Sequence, residues 1–312
     1  MIEIVRYNKE MCKLWDEAVA SSRNGTFLHM RGFMDYHSDR FDDHSLLAMD
    51  KGRVVAVLPA NRRGTTVYSH QGLTYGGWLV ADCCDMVAMM EVTDAAVAFL
   101  KADGVDTLVY KPVPHIYHRY PAEEDIYALH RHGAVMTECN ISTVVDLAAP
   151  LRMDRGNRSA VNRARREGIT VGESQDLEGY WKVLSDVLGS RHGAAPVHTV
   201  EEMALLQSRF PDNIKLYTAC LDGEIVAGVV MFFTAKVAHC QYIASSPSGR
   251  EHKALSLLFD TLMGEASKQG VRYFDFGTSN EDHGRYLNEG LVTQKARLGG
   301  RGITYNVFTL KF

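Results

Sequence analysis

Val237-Ala-His-Cys-Gln-Tyr-Ile-Ala244, running on into Ser245-Ser-Pro-Ser-Gly-Arg250, is the stretch on which the reading of this chain turns. The first eight residues alternate and favour β structure, which predicts a strand. The next six are small, with one glycine and one cation. A helix is predicted over roughly Lys253 to Gln269, with Leu255, Leu258, Phe259, Leu262 and Met263 on one face. Gly270 ends it, and Val271-Arg-Tyr-Phe-Asp-Phe276 reads as a second strand. Strand, glycine-bearing loop, helix and strand are an arrangement that offers backbone N–H groups and a positive helix end to a phosphate. Gly249 is expected to supply a positive φ there; the plainer reading is an ordinary strand-to-helix turn. Beyond lies Gly277-Thr-Ser-Asn-Glu-Asp-His-Gly-Arg-Tyr-Leu-Asn-Glu-Gly290, too rich in side-chain chemistry for a mere connector, and then Gln294-Lys-Ala-Arg-Leu-Gly-Gly-Arg301.

Upstream of this stretch, elements follow one another twice in the same order. A helix over 9–20 and a short one over 30–40 precede the strands Ser45–Met49 and Arg53–Leu58, joined by the turn Asp50-Lys-Gly52. Val67–His70 reads as a strand, Gln71-Gly-Leu-Thr-Tyr-Gly-Gly-Trp78 as a glycine-rich loop, Met86–Ala102 as a helix and Asp106–Tyr110 as a strand. In the second half, helices Asp176–Leu188 and Val200–Arg209 precede Ile214–Leu221, Asp222-Gly223 and Ile225–Met231, then the predicted strand, helix and strand described above. Arg40-Phe41 matches Arg209-Phe210, and Gly104-Val105 matches Gly270-Val271. Such concordance predicts two copies of one α/β domain, residues 1–150 and 151–312. Between the copies lie a proline-punctuated loop, 111–125, a short helix near Ile126–His132, and Arg152–Arg166 with six arginines and no lysine.

The 312 residues suffice for two domains of about 150 each. An apolar content of 46% and a charged content of 23% are those of an ordinary globular protein. A net charge of −4 gives no global pull toward DNA or an anionic membrane. The N-terminus carries no signal-like apolar run, and no window approaches a membrane span. Six scattered cysteines without a CxxC pair predict neither a disulfide framework nor zinc and suit a cytoplasmic location. The histidines at 115, 118, 130 and 132 lack companion ligands, so no metal is expected.

Several motifs together resemble the duplicated GNAT acyltransferases, in the form of the FemAB-type peptidyltransferases and BioF2-like acyltransferases. They are Thr26-Phe-Leu-His29, Tyr75-Gly-Gly77, Arg163-Ala-Arg-Arg-Glu-Gly168, Tyr273-Phe-Asp-Phe-Gly277, and Leu287-Asn-Glu-Gly-Leu291 with Lys295 and Gly299-Gly300. The resemblance implies a mixed α/β (α+β) fold: two tandem GNAT-like domains, each a mixed central sheet flanked by helices. It implies an N-acyltransferase with no permanently bound cofactor, using acyl-CoA, foremost acetyl-CoA, as co-substrate. The acceptor would be a small-molecule or sugar amine, such as a cell-envelope precursor. Two departures stand out. The usual CoA loop is reduced to Ser248-Gly-Arg250, and the long helical hairpin of some FemAB members, proposed to meet tRNA, has no counterpart.

The site residues follow from both readings. Ser245, Ser248, Gly249 and Arg250 are expected at the donor phosphate, and Gln241 and Tyr242 lie on the strand that the likeness places beside the thioester. Asp275 reads equally as a general base for an amine or as the cap of a neighbouring loop. Lys295 is suited to a phosphate or a tetrahedral oxyanion. Glu281 and Tyr286 are candidates for acid–base work, and Asn280, His283 and Arg285 for substrate contact, though a charged loop is equally a solvated one. His70, Tyr75 and Gly76 are expected to shape the acceptor cleft between the domains. No Ser-His-Asp or Cys-His set is evident, and direct acyl transfer needs none. One alternative is an aminoacyl-tRNA-dependent peptidyltransferase, which would need a basic surface for tRNA. The other is a non-catalytic binding protein that kept the fold.

Overall fold

The computed structural model describes residues 1–192 and 195–312. It divides into two compact units, one made of 1–140, 282–286 and 304–312, the other of 141–281 and 287–303.

Unit 1 begins with β1 (Ile2–Arg6), α1 (Cys12–Ser21) and α2 (Arg31–Met34). The helix expected over 30–40 is only this single turn, continued by a 3-10 turn at Asp35–His37. Next come β2 (Asp42–Asp43), β3 (Leu46–Asp50), β4 (Arg53–Leu58), β5 (Asn61–Arg63), β6 (Thr66–Tyr68) and β7 (Leu79–Val80). Lys51 and Gly52, with φ of 49° and 78°, form the left-handed pair that joins β3 to β4. The strand expected to reach His70 stops at Tyr68, because His70 itself takes a left-handed φ of 63°. Helix α3 (Met86–Ala102) starts where Asp85 accepts the Ala88 amide; β8 (Thr107–Tyr110) and α4 (Glu124–Arg131) follow. Strands β1-β3-β4-β7 form one antiparallel sheet, and β6 runs parallel to β8. Leu46, Val55, Leu58, Met89, Val92, Leu100 and Leu108 fill the core.

β9 (Val135–Asp146) leads into unit 2, which continues with α5 (Arg155–Arg166), β10 (Thr170–Ser174), α6 (Leu177–His192), α7 (Val200–Arg209), β11 (Ile214–Leu221), β12 (Glu224–Phe233) and β13 (Val237–Ser245). Then come α8 (Pro247–Glu251), α9 (Ala254–Lys268), β14 (Tyr273–Thr278), the short β15 (Asn280–Glu281) and β16 (Tyr286–Leu287), α10 (Glu289–Arg297) and β17 (Arg301–Lys311). The last strand ends in unit 1, where its C-terminal part pairs with β8. Helix α7 opens with a capping box between Thr199 and Glu202. Asp222 and Gly223, at φ of 50° and 86°, turn β11 into β12. Strands β10 to β13 are antiparallel neighbours; β14 joins β13 in parallel and β9 antiparallel.

The order of elements repeats. Three antiparallel strands, a further strand, a long helix, and a strand parallel to its neighbour occur as β1, β3, β4, β7, α3 and β8, and again as β10 to β13, α9 and β14. The units differ at the further strand. In unit 1 the region matching β13 is split into β6 and β7 by residues 69–78, whose Tyr75 and Trp78 are buried. In unit 2, β13 is unbroken.

Candidate functional site

Strands β13 and β14 share only three register pairs: Val237 with Tyr273, Ala238 with Phe274, and His239 with Asp275. Beyond the third they part. Alongside β12, the register of β13 slips by one residue, so that Val230 faces Tyr242 while Met231 faces Cys240. Gln241 is the extra residue of this bulge, which re-aims the strand at the point where the gap opens.

Asp275 stands at the mouth of that gap and is fully buried. Its Oδ1 accepts the Ser142 hydroxyl at 2.5 Å and the Gly277 amide at 2.9 Å. Its Oδ2 lies 2.8 Å from His239 Nδ1. A carboxylate only accepts, so His239 carries a proton on Nδ1, which in the neutral ring places the lone pair on Nε2. The His239 side chain is 14% exposed, enough to be reached from the gap. Asp275, a candidate base from sequence, is thus enclosed, and the more exposed partner of the pair is His239. His239 was missed in the sequence because a lone strand histidine carries no signal; its partner lies 36 positions away and is brought to it only by the parallel register.

Lys295, at the end of α10, is 6% exposed, and its ammonium donates to the carbonyls of Gly277 at 2.8 Å and Thr278 at 2.9 Å. Burial lowers its pKa to about 8, with the Asp275 charge acting in the opposite sense. Cys240, next to His239, is buried with Sγ 3.7 Å from Met231 Sδ. Burial, reinforced by the Asp275 charge, pushes its thiol well above the usual range, so it offers no thiolate nucleophile.

Tyr242 lies just past the bulge. Its hydroxyl accepts the His198 amide at 3.2 Å, meets His198 Nδ1 at 2.6 Å, and its ring stands edge-on to Trp181 at 5.5 Å. Burial raises its pKa and keeps the phenol protonated.

The segment expected to hold phosphate departs from expectation in two ways. Gly249 is helical rather than left-handed, and its glycine is needed for close approach: a Cβ there would lie 2.2 Å from the Val226 carbonyl oxygen. The first turn also satisfies itself. Ser246 caps Gly249, its own amide bonds Val226, and the exposed Arg250 donates to the Ser245 carbonyl at 2.7 Å. Ser245 is buried, and Ser248 exposed. The residue that takes the left-handed conformation is Lys253, with φ of 60°, at the N-cap of the 15-residue helix α9. No side chain caps α9, whereas its counterpart α3 is capped by the Asp85 carboxylate. The unit 2 helix thus starts without a side-chain cap beside an exposed lysine, whereas the unit 1 helix starts at an anion.

The remaining predicted residues have the following surroundings. His70, Tyr75 and Gly76 lie inside unit 1. His70 stacks on His37 at 5.5 Å, and burial holds its pKa at about 3, so it stays neutral. Tyr75 packs on Tyr117 at 4.5 Å, and a Cβ on Gly76 would lie 2.2 Å from the Ser69 carbonyl oxygen. All three are packed closely against neighbours in unit 1. Glu281 is exposed, and Asn280 accepts the Ile141 amide at 2.7 Å. In unit 1, His283 pairs with Glu138 at 2.8 Å, and Arg285 and Tyr286 are exposed. Among the described residues no cluster of three or more His, Cys, Asp or Glu could hold a metal, and no helix is long and apolar enough to cross a membrane.

Residues 155–285 match the acetyltransferase (GNAT) domain. No curated protein matches the chain by sequence. Among solved structures, the chain is similar to FemX, at 15% identity and a TM-score of 0.71, over 99% of this chain and 97% of that one. It is similar to L-PGS from Bacillus licheniformis at 14% identity and a TM-score of 0.65, over 98% and 92%. It is also similar to a tandem GNAT protein from the clavulanic acid biosynthesis pathway, at 12% identity and a TM-score of 0.57, over 100% and 98%. At such identities the likeness is one of fold, and it is the duplicated, FemAB-like GNAT fold expected from the sequence.

Proposed function

From an acyltransferase whose residues 155–285 are an acetyltransferase (GNAT) domain within a duplicated GNAT fold, we propose an N-acyltransferase that draws on an acyl-CoA thioester, acetyl-CoA foremost. The acceptor in this reading is the amine of a small molecule, a sugar or a cell-envelope precursor. The observation that carries it is the His239–Asp275 pair where β13 and β14 part.

The thioester lies in the gap between the two strands. The donor pyrophosphate takes the uncapped N-terminus of α9, with Lys253 and Arg250 as cations. His239 Nε2 accepts a proton from the amine, whose nitrogen attacks the thioester carbonyl carbon. Backbone amides released from the ladder at the Gln241 bulge stabilise the oxyanion. As the intermediate collapses, the carbon–sulfur bond breaks and the CoA sulfur takes a proton from the Tyr242 hydroxyl. The amine's proton returns to Tyr242 through solvent, so the products are an amide and CoA thiol. With Cys240 held protonated, no acyl-enzyme step is invoked.

A second reading, an aminoacyl-tRNA donor, is favoured by α5. Val161 and Ala164 are its buried residues, while Arg155, Arg163, Arg165 and Arg166 are exposed. Beside α5 a polar cleft of about 500 Å³ is lined by Asn157, Thr293, Gln294, Arg297 and one carboxylate, Glu289. Such a face suits a polyanion.

Calorimetric titration with acetyl-CoA and with an aminoacyl-tRNA separates the two. The acyl-CoA reading expects acetyl-CoA to bind, Arg250→Ala to weaken it roughly ten- to hundredfold, and an amine panel to release CoA thiol. Tight tRNA binding abolished by reversing Arg155 and Arg166, with no response to acetyl-CoA, would overturn it in favour of the second.

A further inference from the structure

We propose that Ser142 and Lys295 are positioning residues that together fix the Asp275 carboxylate, and through it the tautomer of His239. The proposal rests on the reading of His239 as base but concerns residues that touch neither substrate nor the reacting atoms.

Asp275 is immobilised from both of its oxygens. Oδ2 serves His239, and Oδ1 resists rotation of the carboxylate through Ser142 Oγ and the Gly277 amide. Ser142 is 0% exposed, so water has no access to replace its hydroxyl if it is removed. Gly277 has a φ of 77°, a conformation an L side chain rarely adopts. Its peptide groups are engaged at both ends: the N–H goes to Asp275 and the C=O to the Lys295 ammonium, which also takes the Thr278 carbonyl. Lys295 thus clamps the turn at the end of β14 whose amide clamps Asp275. The order of dependence is Lys295, Gly277, Asp275, His239, with Ser142 entering at Asp275 from β9.

This assigns Lys295 a role different from direct contact with a phosphate or an oxyanion. Two of its three N–H groups are committed to backbone carbonyls, and the charge is embedded beside Asp275 rather than presented at the surface. The distinction has a physical consequence. Which imidazole nitrogen carries the proton is set by what the other ring nitrogen bonds. A carboxylate free to rotate no longer enforces Nδ1–H, and part of the population carries its proton on Nε2, the wrong nitrogen for a base.

The test is a long-range proton–nitrogen correlation spectrum of histidine-labelled full-length protein, with His239 assigned by its disappearance in His239→Gln. Wild type is expected to show protonated Nδ1 and a bare Nε2. Ser142→Ala and Lys295→Met are expected to show mixed tautomers, with kcat lowered roughly 10- to 100-fold, as for lost supporting hydrogen bonds elsewhere, and donor KM unchanged. Asp275→Asn serves as the reference for a lost carboxylate. If Lys295→Met fails to fold, Ser142→Ala, which removes one buried oxygen, carries the test alone. A wild-type tautomer in a variant of normal or lowered kcat overturns the proposal; lowered kcat with the tautomer unchanged in Lys295→Met would mean direct contact instead. Wild-type turnover by His239→Gln would sink the base reading, whereas a tautomer shift in Ser142→Ala would still uphold the positioning.

Discussion

Replacing Lys295 by methionine should flatten the alkaline rise of the stability of unit 2. The side chain is 6% exposed and its pKa is lowered from 10.5 to about 8, first by burial. Between those two values the unfolded chain holds a proton that the native protein has lost. Native stability therefore rises with pH across that window and levels off above it. The interval corresponds to roughly 3 kcal/mol at 1.36 kcal/mol per pH unit. Below pH 8 the native protein carries the whole cost of a buried ammonium, which the Gly277 and Thr278 carbonyls and the Asp275 charge offset only in part. Above it the neutral amine still donates both hydrogen bonds. Urea unfolding at pH 7, 8, 9 and 10 measures this, followed through Trp181, the one tryptophan of three in unit 2. Because other groups titrate in the same range, Lys111 among them, the quantity to compare is wild type minus Lys295→Met. That difference should grow by about 2–3 kcal/mol from pH 7 to 10. Parallel curves would refute the reasoning, since they would mean that the ammonium is solvated in the native state.

Gly249→Ala should destabilise unit 2 by about 3 kcal/mol, as overpacking does, because the new Cβ would meet the Val226 carbonyl oxygen at 2.2 Å; thermal melting checks it, and an unchanged melt contradicts the close approach. Lys253→Gly relieves a left-handed lysine and should raise stability by roughly 1 kcal/mol, while weakening acetyl-CoA binding if the donor phosphates sit at α9. All six cysteines should titrate as thiols in denaturant. In the native protein Cys83 and Cys139, which are exposed, should react first. Cys84, pushed up to about 12 by burial, and Cys240 should resist, and early labelling of either would contradict their burial.

The parts of the fold that were legible in the sequence carry their own punctuation. Helix α3 spans Met86–Ala102 as predicted, because Asp85 caps its start and Gly104 follows its end. Helix α7 and strand β11 also keep their predicted bounds, set by the Thr199–Glu202 box and the Asp222-Gly223 turn. Strands β1, β9, β10 and β17 passed unnoticed. Much of β9 and β10 is exposed, and what holds β9 and β17 is pairing with distant strands, β14 and β8. Of the candidate site, two members carried a signal in the sequence. Asp275 stood out as a carboxylate between aromatics and Lys295 through the family likeness, but the function of each depends on partners that only the fold supplies. Gly249 was rightly singled out for the wrong reason, since close approach and positive φ both demand glycine and leave the same letter in the sequence. The left-handed residue, Lys253, carries no such letter.

The most direct test of His239 as the base is kcat for wild type and His239→Gln, measured by CoA thiol release with acetyl-CoA and a responsive amine. His239→Gln keeps an amide near Asp275 but has no proton-accepting nitrogen. A loss of roughly 10²- to 10⁴-fold in kcat is expected for the variant, with acetyl-CoA affinity unchanged by calorimetry. A variant that turns over at the wild-type rate would contradict the assignment.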